Sequence, residues 1–324
     1  MMTAVAYSLE FEAEMAMAHV PVLTNELLDV LDLEPGSRVV DCTFGAGGHA
    51  FEVMRRLDSS GLLLACDRDP VAQGYFDEWK RTVQTPTRFY RGDFADTLQQ
   101  LERSGQSVDR IYMDLGVSSM QIDTEERGFS YSYDAPLDMR MDPDLSLTAA
   151  DILNEWDQER ICWVLREFGE ERFASRIARS IVRRRLQAPY RRTSELVDTV
   201  KASIPAPARF GSRNPARRVF QALRIAVNGE LDSLRRALPQ ALSLLEPGGV
   251  AAVISFHSLE DRIVKEFFAA QVHPCTCPPD FPICVCGKEP TMEMITGKPI
   301  TPTIREIESN PRSSSAKLRA ARKL

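Results

Sequence analysis

Four aspartates within the first 114 residues fall at the ends of candidate strands. Asp41 follows Val39-Val40, Asp67 follows Leu62-Leu63-Leu64-Ala65-Cys66, Asp93 follows Phe89-Tyr90-Arg91-Gly92, and Asp114 follows Ile111-Tyr112-Met113. An acid at the end of a buried parallel strand lies where open α/β sheets bind ligands, outside the strands' carboxyl ends. Gly45, Gly47 and Gly48 come just after Asp41, and His49 follows them. Glycine suits such a turn because it adopts backbone angles that a Cβ opposes and lets the main chain approach a ligand closely. Strand, tight turn and helix start are the local plan of a nucleotide-type cofactor site, although a turn with no ligand could carry the same glycines. Asp67 lies 26 residues past Asp41. A carboxylate there meets the two ribose hydroxyls of an adenosine; capping the helix that begins at Pro70 is a compatible second role. His257 ends a fifth apolar run and faces the same edge.

The elements that must position these groups alternate. Apolar runs predict strands over 38–41, 62–67, 87–90 and 109–115, with helices over 51–57, 70–83 and 96–103 between them. A leading amphipathic helix is expected over 19–33, with Thr24 or Asn25 as its N-cap. Successive strand–helix units with right-handed crossovers make a doubly wound parallel sheet. The pattern then breaks. Residues 120–213 contain no convincing strand, only a polar aromatic loop (128–133) and helices over 148–186 and 193–204. The sheet resumes after a helical stretch (214–245), a sharp Leu245-Glu-Pro-Gly-Gly249 turn and a strand over 250–256. The expected fold class is therefore α/β, with a sheet domain (19–123 and 214–324), an inserted, mostly helical domain (124–213) and an N-terminal extension (1–18).

Charge is uneven. The net formal charge is −6, yet residues 160–224 hold 16 Lys and Arg against 5 Asp and Glu, so the remainder carries −17. A basic block in an acidic chain suits a polyanion; the alternative is a solvated helix paired with local acids. Arg172, Arg176, Arg179 and Arg183 recur at helical spacing on one face. With the other arginines of 172–192 and those of 213–218, Arg217 and Arg218 among them, they are candidates for nucleic-acid phosphates. Phe129, Tyr131 and Tyr133 could stack on bases or pack the insert against the sheet domain. No apolar run approaches the ~20 residues of a membrane helix. Residues 1–18 lack the basic start of a secretory signal, so a cytoplasmic protein with no membrane partner is expected.

Seven cysteines, an odd number, argue against a disulfide framework. Cys42, Cys66 and Cys162 read as core residues. Cys275, Cys277, Cys284 and Cys286 form two Cys-x-Cys pairs in a proline-rich stretch. Such pairs are less usual metal ligands than Cys-x-x-Cys, and no metal is assigned to them.

Two cofactor classes share the glycine turn and the acid after the second strand. Gly-Ala-Gly-Gly-His is not the GxGxxG of a dinucleotide fold, which sets a helix N-terminus at a pyrophosphate. Pro-Gly-Gly before the fifth strand is common in class I methyltransferases. The longer motifs are specific: Asp41-Cys-Thr-Phe-Gly-Ala-Gly-Gly-His49, Asp114-Leu-Gly-Val-Ser-Ser119, Arg127-Gly-Phe-Ser130, Pro136-Leu-Asp-Met-Arg-Met-Asp142, Phe168-Gly-Glu-Glu-Arg-Phe173, Phe220-Gln-Ala-Leu-Arg-Ile225 and Ser255-Phe-His-Ser-Leu-Glu-Asp-Arg262. Together they resemble the bacterial 16S rRNA cytosine-N4 methyltransferase family (RsmH/MraW), in order and over nearly all of 19–324.

The resemblance implies a class I, Rossmann-like sheet with a helical insert for substrate recognition. It also implies an enzyme that uses S-adenosylmethionine to methylate N4 of a cytidine in the P-site region of 16S rRNA, within a small subunit or a late assembly intermediate. The family's cofactor contacts fall on Gly47, Gly48, His49, Asp67, Phe94, Asp114 and Gln121. His49 and Gln121 come from the resemblance alone, and Phe94 reads on its own as core or as an adenine-stacking residue. Asp114 is the expected catalytic group, polarising the amine or holding the methionine moiety. His257 is a second candidate, to orient the base or relay a proton; capping the next helix is the alternative. Pro274-Cys275 is the dipeptide of cytosine-C5 enzymes, but N4 transfer needs no covalent nucleophile. Two competing readings are a DNA amino-methyltransferase, which usually carries an Asp/Asn-Pro-Pro-Tyr-type turn where this chain has Asp-Leu-Gly-Val, and a non-catalytic RNA-binding protein on the same scaffold.

Overall fold

Buried apolar runs alternating with amphipathic segments build one seven-stranded sheet. The computed structural model describes residues 21–209, 214–278 and 285–324, so the extension 1–18, Arg213 and Cys284 lie outside the described residues. The chain enters through α1 (Thr24–Leu31), β1 (Arg38–Asp41), α2 (Gly48–Met54), β2 (Leu62–Asp67), α3 (Pro70–Trp79), β3 (Thr87–Arg91), α4 (Phe94–Arg103) and β4 (Val108–Asp114). It divides into two units. One holds the chain up to Gly116 and resumes at Asp232; the other is Val117–Leu231. These boundaries compare with the expected 123/124 and 213/214.

The second unit is helical: α5 (Ser119–Asp123), α6 (Ala149–Glu155), α7 (Gln158–Glu167), α8 (Ala174–Arg185), α9 (Thr193–Ser203), α10 (Ala206–Arg209) and α11 (Arg217–Asn228). After α12 (Glu230–Leu244) the sheet resumes with β5 (Leu245–Ser255), α13 (Ser258–Val272), β6 (Met292–Met294), α14 (Ile304–Ser309) and β7 (Lys317–Lys323). The strand order is β3-β2-β1-β4-β5-β7-β6. β1 to β5 pair in parallel, while β7 runs antiparallel to β5 and β6 antiparallel to β7.

The antiparallel edge departs from the expected parallel sheet. Pro311–Ser315 is a 3-10 turn, and the last strand starts pairing at Lys317. β7 is held to α13 by Asp261, which accepts from Arg319 Nε at 2.7 Å and Lys317 Nζ at 2.9 Å. Burial pushes this carboxyl up, but the two cations outweigh it and hold it below the usual range. The Leu245–Gly249 turn is a distortion within β5: pairing jumps from Val108–Leu245 to Arg110–Val250. At α1 the cap is Leu23, in left-handed conformation, and neither Thr24 nor Asn25. Glu306 supplies the missing acceptor, 2.8 Å from the Leu23 amide.

The helical unit has its own core of Ile152, Ile161, Leu165, Ile177, Ile181 and Leu223 among others. Phe129 and Tyr131 pack on it, Tyr131 edge-on to Phe220 with centroids 5.8 Å apart, while Tyr133 is half exposed. Cys162 is partly buried between α7 and α8 rather than a core residue, its sulfur 3.3 Å from Ser175 Oγ. Asn228 knits the Leu137–Met141 segment to α11. Its amide nitrogen donates to Met139 O at 2.7 Å and Arg224 O at 2.9 Å, and its oxygen accepts the Met141 amide at 2.7 Å. Met139 sits at φ 63, a conformation that costs a non-glycine residue free energy and needs such a clamp. Asn228→Ala orphans a buried amide and a buried carbonyl, so it should destabilise the protein by about 2–4 kcal/mol in denaturant unfolding; a loss below ~0.5 kcal/mol would contradict this role.

Candidate active site

The glycine turn is built around an aromatic wedge. Phe44 packs edge-on against Phe76, Trp79 and Phe89, with centroids 5.4, 5.7 and 6.0 Å away. Gly45 and Gly47 take left-handed angles, φ 56 and 86. A Cβ on Gly47 would stand 2.8 Å from the Phe44 ring, and one on Gly48 would stand 2.9 Å from Pro21. The space at these two missing Cβ positions is thus filled by the protein's own side chains, not kept open for a ligand. The turn is pinned from below as well: the Gly45 amide donates to Asp67 Oδ2 at 2.7 Å.

The four strand-end acids have different surroundings. Asp41 accepts from the Tyr112 hydroxyl at 2.6 Å and the Thr43 amide at 2.9 Å, and burial pushes its carboxyl up to about 7. Asp67 bridges the Gly45 and Asp69 amides and is raised by burial to about 6. The cap of α3 is Asp69, whose side chain accepts from Val71, so Asp67 does not play that part. Asp93 caps α4, pairs with Arg68 and Arg236, and accepts from Ser233 Oγ at 2.5 Å. Its capacity goes to structure.

Asp114 differs. Its Oδ1 is buried with no hydrogen-bond partner among the described residues. Burial, followed by the charge of Glu260, pushes the carboxyl up to about 8. Its backbone amide donates to Thr43 Oγ1 at 2.7 Å, which ties β4 to the start of the glycine loop. His49 stands 3.5 Å from Oδ2 through Nδ1, while its Nε2 lies 2.9 Å from Val22 O. A carbonyl accepts only, so Nε2 carries the proton and Nδ1 faces the acid bare. Burial also pushes the imidazole down, consistent with a neutral ring.

Gly47, Gly48, His49, Asp67 and Asp114 therefore gather at the carboxyl ends of β1, β2 and β4. Phe94 opens α4 and is half buried against the sheet core. Gln121 belongs to the helical unit. It is buried, and with Ser118 it forms the capping box of α5, Oε1 accepting the Ser118 amide at 3.1 Å. His257 caps α13: Nδ1 accepts the Glu260 amide at 3.3 Å, and Nε2 lies 3.1 Å from Glu260 Oε1, out of line for a hydrogen bond. The structure therefore places the ring as a cap. Thr43, Tyr112 and Glu260 were missed as site residues; each looks in sequence like an ordinary strand or cap residue.

Arg172, just ahead of α8, and Arg176, Arg179 and Arg183 on it are exposed, the last three opposite a buried Ala174, Ile177, Ala178 and Ile181 face. Arg217 is exposed, and Arg218 donates to Glu170 O at 3.1 Å. Arg184, Arg185 and Arg192 are engaged internally, with Glu195, the Leu153 and Trp156 carbonyls, and Asp134. No helix among the described residues is long and apolar enough to cross a membrane.

S-adenosylmethionine has a ribose and a cationic sulfonium and no phosphate. The edge fits it, with carboxyls at β2 and β4 and a carboxyl oxygen left unmatched. The strand order with its reversed seventh strand, together with this edge, defines a class I methyltransferase that takes its methyl group from S-adenosylmethionine. The profile of the MraW methylase family matches residues 16–324, and the chain belongs to that family. A "Ribosomal RNA small subunit methyltransferase H" of Symbiobacterium thermophilum is 51% identical over 311 residues, covering 96% of this chain and 98% of the relative. One of Heliobacterium modesticaldum is 48% identical over 313 residues, covering 96% and 100%.

Asp114→Asn isolates the cost of burying the acid. Because the folded pKa of about 8 exceeds the ordinary 3.8, the native state holds the extra proton between those values, and stability falls as pH rises through that window. The amide removes this loss, so the variant should melt a few degrees higher than the parent at about pH 7.5 and show no advantage at about pH 4. Equal melting at both pH values would refute the buried-acid account.

Proposed function

We propose that this enzyme methylates the N4 amine of a cytidine in small-subunit ribosomal RNA, in the P-site region, with Asp114 as the group that receives the amine. The names of the relatives support the RNA, and the motif resemblance supports N4. The observation that carries the role of Asp114 is its buried, unpartnered Oδ1 beside the glycine loop.

The cytosine amine is a weak nucleophile because its lone pair is delocalised into the ring. Bound S-adenosylmethionine supplies an electrophilic methyl group on a sulfonium. Gly47, Gly48, His49, Asp67 and Phe94 of the sheet unit hold the donor, Asp67 through the ribose. An Asp114 carboxylate accepting an N4–H bond localises the lone pair as the N–C bond forms, and it takes the proton that the amine sheds. A cation bound nearby draws the Asp114 pKa down and favours the ionised form. His257 and Glu260 fix the β5–α13 corner beside Asp114; His257 serves as a cap and not as a proton relay. The target base must be unpaired or extruded to be reached.

Incubation with labelled cofactor and small subunits lacking the modification, followed by nucleoside analysis, should yield N4-methylcytidine. Label in a different nucleoside would overturn the reading. Asp114→Ala should lower turnover at least ~100-fold with cofactor binding measured separately, and His257→Ala should stay within about tenfold of the parent. In the parent, kcat/KM should fall on the acid side with an apparent pKa at or below about 8.

We also assign RNA phosphate contacts to the exposed arginines of α8, in a substrate-recognition role for the helical unit. Arg176→Glu, Arg179→Glu and Arg183→Glu together should weaken RNA binding at least ~10-fold and flatten its salt dependence by roughly one slope unit per lost contact. An unchanged salt slope would remove α8 from the RNA surface.

A further inference from the structure

The segment between α13 and β6 has a feature that methyl transfer does not use. Its base is clamped: the Thr291 amide donates to Gln271 O at 3.0 Å, and the Thr291 hydroxyl lies 2.8 Å from Gln271 Oε1. Beyond that clamp the described residues supply no buried apolar anchor. None of residues 273–278 or 285–291 is buried, and Val285 is 72% exposed. Yet the sulfurs of Cys275, Cys277 and Cys286, from both arms of the excursion, lie within 4.8 Å of one another. Hydrophobic packing does not explain that convergence.

We propose that Cys275, Cys277 and Cys286 are ligands of a structural zinc ion that staples this excursion of the sheet unit. Zinc–thiolate bonds of ~2.3 Å at tetrahedral angles set sulfurs about 3.8 Å apart. Cys275 and Cys286 are separated by 3.9 Å, far longer than the ~2.05 Å of a disulfide. The Val285 amide points at Cys277 Sγ from 3.4 Å, the kind of backbone donor that steadies a metal-bound thiolate. Soft sulfur ligands favour zinc over magnesium or calcium. A water or a further donor completes the tetrahedron. Binding releases the thiol protons, and the bond energy stabilises a segment whose described residues are not buried.

The full chain, purified with reductant and without chelator, should contain about one zinc per molecule by elemental analysis. Cobalt added to the stripped protein should give thiolate charge-transfer absorption and the strong visible bands of a tetrahedral site. Cys275→Ser with Cys286→Ser should lower zinc content at least tenfold and abolish the cobalt spectrum. Cys42→Ser, at a buried position just after β1 and outside the cluster, controls for nonspecific thiol binding and should change neither. Zinc below a tenth of an equivalent with no cobalt bands would overturn the proposal. So would a disulfide among these cysteines in the reduced preparation, or a cobalt spectrum that survives the double substitution.

Discussion

Desolvated carboxyls at the carboxyl edge of a parallel sheet are the constraint around which this molecule is arranged. An acid taken out of water must be given donors, paired with cations, or kept protonated. Each strand end meets the demand differently. Asp41 is answered by a tyrosine across the β1–β4 pair, Asp67 by two backbone amides, and Asp93 by two arginines and a serine. At Asp114 the demand is left open on one oxygen. The glycine loop exists in its observed shape partly because of this arrangement, since Asp67 pins Gly45 and Thr43 pins the Asp114 backbone. Chemically identical side chains therefore end in different states, and the partner each one finds decides whether its demand is met.

Much of the sheet was legible because parallel strands buried on both faces read as continuous apolar runs. The first four strands fell within a residue or so of expectation, and their terminal acids were visible with them. What failed to show in sequence was settled by distant partners. Nothing local to Leu23 signals that Glu306, 283 residues away, will accept its amide and start α1 there. The short β6 and the start of β7 depend on antiparallel pairing at the sheet edge and on Asp261 gathering Arg319 and Lys317. A three-residue strand such as Met292–Met294 carries too little period to announce itself.

The turn of the candidate site was legible in sequence, and the reasons for its shape were not. Glycine at 47 and 48 pointed to a tight turn, and the turn is there. The reason is internal packing: Phe44 and Pro21 occupy the space a Cβ would need. Phe44 stood in the quoted motif without a role, because an aromatic beside a glycine turn reads as ordinary core. His257 shows the converse. Its position at a strand end suggested chemistry, while the Ser-Leu-Glu that follows it supplies the partner for a capping box, with Glu260 at the third helical position.

The basic insert shows why counting charge overstates a binding surface. The +11 of residues 160–224 does not form one uniform face. Arg184, Arg185 and Arg192 bind Glu195, two helix-end carbonyls and Asp134, so they stitch the helical unit together. Spacing separates the remainder. Arg176, Arg179 and Arg183 lie on the solvent side of α8, whose other side carries Ile177 and Ile181 into the core. The aromatic loop divides in the same way, with Phe129 and Tyr131 taken up by that core and Tyr133 left half exposed. A ridge of guanidinium groups reads backbone charge and not base identity, so it can set register on an RNA without choosing a nucleotide. On the proposed reading, choice of the reacting base is made where the amine meets Asp114, by whether a base can leave its stack and present an N–H to that oxygen.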